Sequence, residues 1–313
     1  MNVRDAFFNE VEQMVRQGED IVIVSADLGA PSLDVFRRDF PQRFVSVGIA
    51  EQNLLAVACG LSLAGKHVIA FGLNPFPVTR AFDQLRTLVC GLRIPVTIAA
   101  LNAGTCSAEC GYTHMPVEDL SLLRTLPNIR YVNPSDTEIS RQAARQLVMA
   151  DCPVLIRFDK QIQSETAAGE VSFQLGFNVH RQSEDYAVLT TGYFVPVLSG
   201  IEMTVRGRKV CPTVIDCYSF PLDEAALIKE ISGYKQIATL EDHVLPGGLG
   251  SLVLEMLSDA GQARNVHRLG LPVDFLKDRK LSNRASIHRD LGLDKEHLAD
   301  TLGIAFEGGL ADE

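Results

Sequence analysis

The feature that most constrains this chain is an alternation of short apolar runs with segments of helical period. Ile21 to Ala26 is an apolar run that reads as a buried strand. The pattern continues as strand 44–47, helix 51–64, strand 67–71, helix 77–90 and strand 95–101. After a loop at 102–116 come helix 117–126, strand 129–132, helix 136–149 and strand 153–158. Ahead of them Phe7, Phe8, Val11, Met14 and Val15 recur at helical spacing, which predicts an amphipathic helix over 3–17. Short strands separated by helices form a mostly parallel sheet covered on both faces. Polar residues without a period follow from Asp159 to Asp185, and we place a linker at 166–185 between domains at 1–165 and 186–313. The second, smaller domain is also α/β, with strands at 187–190, 214–216 and 237–240 and a helix at 249–260. A length of 313 residues suits two domains.

A net charge of -10 argues against nucleic acid as the main partner, while leaving room for a small anion held by local basic residues. No run of about 18 apolar residues occurs, so no membrane span is predicted, and Met1 to Asp5 lacks a signal core. Seven cysteines without metal-ligand spacing read as thiols, with Cys59, Cys90, Cys152, Cys211 and Cys217 expected to be buried. That usage points to a reducing, cytoplasmic setting.

The motifs lie at strand ends, where α/β sheets present their chemistry. The strand Phe44 to Val47 runs through Gly48-Ile49-Ala50 into a helix that opens with Glu51. Apolar flanks would desolvate that carboxyl and favour its protonated form; a plain acidic residue in a first helical turn is the other reading. A second stretch, between a strand and a helix, carries Asn102, Gly104, Glu109, Cys110, Gly111, Thr113, His114, Pro116, Glu118 and Asp119. Between the two lies Arg80-Ala81-Phe82-Asp83-Gln84-Leu85-Arg86, and Gly247-Gly248-Leu249-Gly250 follows much later. Together these segments resemble the C-terminal half of transketolase and of its relative deoxyxylulose-phosphate synthase, over nearly the whole chain.

The resemblance implies a pyrimidine-binding domain, then the family's C-terminal domain, with thiamine diphosphate as cofactor. Glu51 matches the carboxylate that hydrogen-bonds the aminopyrimidine and so promotes activation of the cofactor, which then carries a two-carbon unit from a ketose to an aldehyde. Phe76 matches an aromatic residue that stacks on the pyrimidine, in Phe71-Gly72-Leu73-Asn74-Pro75-Phe76-Pro77, with Leu73 and Ile49 as apolar contacts. His114 matches a histidine that serves the substrate's oxygens. Arg4, Ser32 and Lys160 match phosphate contacts, and Arg157 is an alternative to Lys160. Lysine lacks arginine's planar fork, so a bidentate contact is lost.

Two departures bear on substrate choice. Asn102 stands where transketolases have a histidine that contacts the donor sugar, and Cys110 where they have an aspartate that reads a hydroxyl. Both substitutions point to a specialised or modified donor sugar. The family's Gly-Asp-Gly motif for the diphosphate and divalent metal is absent from the sequence. The expectation is therefore one subunit of a split transketolase in an α2β2 assembly, with Mg2+ or Ca2+ held mainly by an N-terminal partner subunit. An α-keto acid donor such as pyruvate, as in deoxyxylulose-phosphate synthase or keto-acid dehydrogenase β subunits, and a non-catalytic interaction module stand as alternatives. The Gly247–Gly250 turn reads as packing ahead of a helix, or as an anion site at its N-terminus.

Overall fold

The computed structural model describes residues 1–162, 170–275, 277 and 282–308. Linker residues 166–169 lie outside the described residues. Strands in chain order are β1 (Ile21–Ser25), β2 (Phe44–Ser46), β3 (His67–Leu73), β4 (Val96–Leu101), β5 (Arg130–Val132), β6 (Val154–Phe158) and β7 (Phe177–His180). They continue as β8 (Tyr186–Thr190), β9 (Met203–Val205), β10 (Arg208–Val210), β11 (Thr213–Cys217), β12 (Ser219–Phe220), β13 (Gln236–Val244) and β14 (His267–Leu271).

The first sheet has the order β12-β5-β6-β4-β3-β1-β2 and is parallel except for the β12–β5 pair. Its central strands are buried on both faces, as unbroken apolar runs require. The helix Val3–Arg16 starts where the Asn2 side chain accepts the Asp5 N–H. It packs Phe7 on Phe158 and Phe8 on Phe71, with ring centroids 5.2 and 5.1 Å apart. Each such fully buried ring is worth about 1.5–3 kcal/mol. The other face is covered by the helix Glu51–Leu63, whose Leu54, Leu55 and Ala58 sit in the core.

The second sheet has the order β14-β13-β8-β11-β7, and the three strands anticipated here, β8, β11 and β13, are its interior. β7 pairs antiparallel with β11 and lies inside the expected linker, whose polar flanks hid a four-residue edge strand. The helix expected over 77–90 is also corrected. It divides into Phe76–Thr79, Phe82–Gln84 and a π-helical stretch Leu85–Cys90. Pro77 is tolerated only in a first turn, and the backbone leaves helical geometry at Ala81 (φ -100°, ψ 24°). Cys59, Cys90 and Cys217 are buried as expected, but Cys152 and Cys211 are only half-buried. No helix among the described residues is long and apolar enough to cross a membrane.

The two halves interlock. β12 closes an edge of the first sheet from beyond residue 213, which covers unpaired backbone groups. Asn133 donates to the Thr191 hydroxyl, and the Ser135 hydroxyl donates to the carboxylate of Asp216. One apolar cluster contains Leu123 and Tyr131 from the first half and Phe220, Leu222 and Val253 from the second.

Candidate active site

Glu51 opens its helix after Gly48, whose φ of +72° turns the chain out of β2. The side chain is buried, 2% exposed. Its Oε2 accepts a hydrogen bond from Arg80 Nη1 at 2.7 Å. The same guanidinium lies over the Phe76 ring, 4.3 Å from its centroid, and is half exposed. His114 meets the Phe76 ring edge-on, with centroids 5.5 Å apart at 84°. Four residues from three segments thus converge: a buried carboxylate, an aromatic face, an imidazole, and a planar cation against the first two. Arg80 belongs to a family-like stretch, yet its place beside Glu51 was not read from the sequence. Nothing in one chain pairs position 80 with position 51. Leu73 is half-buried at the end of β3, and Ile49 is 74% exposed two residues before Glu51.

The loop that carries Asn102, Cys110 and His114 is held from the second half of the chain. Asp242, at the end of β13, accepts from the Thr105 N–H and hydroxyl at 2.9 Å each. His288 and Arg284 pair with the same carboxylate, both at 3.1 Å. Burial works to raise the Asp242 carboxyl, but His288, Arg284 and Thr105 outweigh it and hold it well below the usual carboxylate range. Gly104 has φ +51°, and a Cβ there would run into Asp242, so both the conformation and the close approach require glycine. Asp242, Arg284 and His288 were not among the candidate residues. Their contacts to the first half of the chain, Thr105 and Asp159, span more than a hundred positions, and no local pattern along the chain announces them.

Within that loop Cys110 is exposed and His114 is half-buried, its Nδ1 sharing a hydrogen bond with the Thr113 hydroxyl at 2.9 Å. Asn102 is buried and accepts from the Ser107 hydroxyl at 2.8 Å, and Lys160 Nζ donates to that same oxygen at 3.1 Å. Arg4 and Ser32 are brought together, but on Asp5: Arg4 Nε and the Ser32 hydroxyl donate to its Oδ1 at 3.0 and 2.8 Å. An anion there would compete with a resident carboxylate. Arg157 is a correction. It is 3% exposed and committed to Asp119 (3.1 Å), the Tyr131 hydroxyl (2.9 Å) and the Asp242 carbonyl, so it is structural and no substitute for Lys160.

The Gly247–Gly250 turn is not an open anion site. The Glu241 carboxylate accepts from the Leu249 and Gly250 N–H groups at 2.7 and 3.0 Å and so caps the helix Leu249–Asp259 from inside. A Cβ on Gly248 would collide with that carboxylate. Burial pushes Glu241 up to about 7, against the pull of the two N–H groups. A cavity of about 480 Å³ lies between the halves and is lined by Leu123, Arg130, Tyr131, Phe220, Leu222 and Leu252. No candidate residue lines it.

The family model of the transketolase pyrimidine-binding domain matches residues 1–164, and that of the transketolase C-terminal domain matches residues 176–298. The chain belongs to the transketolase family. A putative transketolase C-terminal section from Methanocaldococcus jannaschii is 28% identical over 95% of this chain and 94% of its own length. A subunit of an apulose-4-phosphate transketolase from Actinobacillus succinogenes is 30% identical over 91% of this chain and 92% of its own. A 1-deoxy-D-xylulose-5-phosphate synthase from Caldanaerobacter subterraneus is 32% identical over 95% of this chain, which spans only 48% of that relative. Among solved structures, a split-gene transketolase described as an inactive beta4 tetramer superposes with a TM-score of 0.81 at 26% identity, over 99% of this chain and 98% of that one.

Proposed function

We propose that this transketolase-family chain is the pyrimidine-binding half of a two-chain enzyme that transfers a ketol unit from a ketose to an aldehyde. Its cofactor would be thiamine diphosphate, with Mg2+ and the diphosphate held mainly by a partner chain. The observation that carries this reading is the pairing of buried Glu51 with the Phe76 face. Arg80 already satisfies both with a flat cation, so this seat fits a planar group able to hydrogen-bond a carboxylate while stacking on a ring. An aminopyrimidine is such a group. When bound, thiamine diphosphate supplies carbanion stabilisation. Glu51 would orient the ring through a hydrogen bond, Phe76 would hold one face, and Leu73 and Ile49 would add apolar contact. His114, beside Phe76, would move a proton at a substrate oxygen. Lys160, Asn102 and Cys110 would face the sugar. The open face around Ile49, together with relatives named as subunits or sections, supports a second chain as the missing wall.

The test is calorimetric titration of thiamine diphosphate and Mg2+ into this chain alone and into its mixture with a chain carrying Gly-Asp-Gly. Binding only in the mixture supports the proposal, and binding in neither refutes it. A second reading, an α-keto acid donor, is favoured by the identity to 1-deoxy-D-xylulose-5-phosphate synthases. Release of carbon dioxide from pyruvate by the mixture would select it.

A further inference from the structure

Asn102 and Lys160 reach the proposed substrate face from separate strands, and one buried hydroxyl joins them. Ser107 is 3% exposed. It accepts from Lys160 Nζ at 3.1 Å and donates to Asn102 Oδ1 at 2.8 Å. Chemistry dictates this direction. An ammonium carries donors only, so Ser107 Oγ must accept from it, and its single proton must then go to Asn102. The Asn102 carbonyl oxygen is thereby used, and the amide cannot turn over without losing the bond. Its nitrogen keeps one long contact, 3.4 Å to the carbonyl of His114. Asn102 also holds a φ of +106°, a costly backbone for a side-chain-bearing residue and one that clusters at functional sites. Among the described residues Lys160 has one competing partner, the exposed Glu109, 3.8 Å away.

We propose that Ser107 is a positioning residue for substrate. It fixes Lys160 and Asn102 as a pair that offers only N–H donors, and the pair takes an oxyanion of the substrate, a phosphate or a carboxylate. Without the hydroxyl, Lys160 swings to Glu109 and Asn102 is free to turn. The inference rests on the reading of this face as the substrate side of a transketolase site, but all three side chains lie in this chain and are testable without a partner.

Inorganic phosphate and, separately, acetate are titrated into the full chain at constant ionic strength. Affinity is followed by calorimetry, and the Asn102 side-chain amide by NMR, assigned through Asn102→Ala. The wild type binds, and its Asn102 amide resonances move on titration. Ser107→Ala weakens binding about tenfold, the scale of one hydrogen bond to a charged group, and silences the Asn102 response. Ser107→Thr restores both. Tighter binding of phosphate indicates a phosphorylated substrate, and tighter binding of acetate a carboxylate. Lys160→Met breaks the relay from its exposed end without touching the core, and silences Asn102 even if Ser107→Ala does not fold. Unchanged affinity and an unchanged Asn102 response in Ser107→Ala, or in Lys160→Met an unchanged Asn102 response where Ser107→Ala does not fold, or no binding of either probe by the wild type, overturn the proposal. If the two-chain mixture binds thiamine diphosphate while the relay is silent, only this inference fails. If the relay responds and the mixture binds no cofactor, the functional reading fails and the anion site stands.

Discussion

Asp216 gives the sharpest test of how the two halves are joined. It lies on β11, fully buried, and its carboxylate takes the Ser135 hydroxyl from the first half of the chain. Its other oxygen has no hydrogen-bond partner among the described residues. Burial raises this carboxyl from 3.8 to about 8; the Ser135 hydroxyl opposes the rise, and the charge of Asp136 adds to it. A folded pKa above the unfolded one means that the native state binds more protons between the two values. The stability from protonated Asp216 is therefore complete below the unfolded pKa and is lost as pH rises toward about 8. The loss has a limit of about 1.4 kcal/mol per pH unit, so from pH 6 to pH 8 it amounts to roughly 2–3 kcal/mol. Asp216→Asn removes the titration but keeps the shape. Its amide costs roughly 1–3 kcal/mol at pH 6, where one more buried donor goes unpaired. Urea unfolding of both proteins at pH 6, 7 and 8 measures the difference. The variant gains on the wild type as pH rises, and the curves meet or cross. A difference in stability that does not change with pH would mean that native Asp216 is already ionised, and the argument from burial would be wrong.

Four further outcomes follow from the site. In the two-chain mixture, Glu51→Gln should abolish thiamine-diphosphate-dependent turnover with little change in the chain's stability; full activity would remove Glu51 from the mechanism. A double-mutant cycle on Glu51→Gln and Arg80→Met, read by urea unfolding, should give a coupling of about 1 kcal/mol, because half-exposed Arg80 is screened by solvent; zero coupling would mean that the pair does not hold the seat. Asp242→Ala removes the carboxylate shared by Thr105, His288 and Arg284, leaves Arg284 with Asp159 as its remaining carboxylate partner, and should cost about 3 kcal/mol. Asp242→Asn should flatten the acid limb of the stability profile, since a carboxyl held low contributes above its unfolded pKa and loses that contribution as pH falls; an acid limb identical to wild type would contradict the ion-pair assignment.

The sequence by itself determined the layered α/β architecture, because short apolar runs alternating with longer segments of helical period bury their backbone as strands of a sheet covered on both sides. It also singled out Glu51, Phe76 and His114 as candidates, since each belongs to a local motif whose order is visible along the chain. Weakly patterned elements escaped it. β7 is short and lies among polar residues, and the helix after Phe76 breaks at Ala81, where no residue type announces the break. What only the tertiary structure decided is what each polar side chain is bonded to. Arg157 looked as available as Lys160 until the fold buried it on Asp119 and Tyr131. Arg80 met Glu51, Ser107 joined Lys160 to Asn102, and Asp242 clamped Thr105 across 137 positions. The physical reason is range: backbone preference and hydrophobic period act over a few residues and are written locally. A buried charge must be matched by a partner wherever the fold brings one within about 3 Å, and that distance is a property of the folded chain alone.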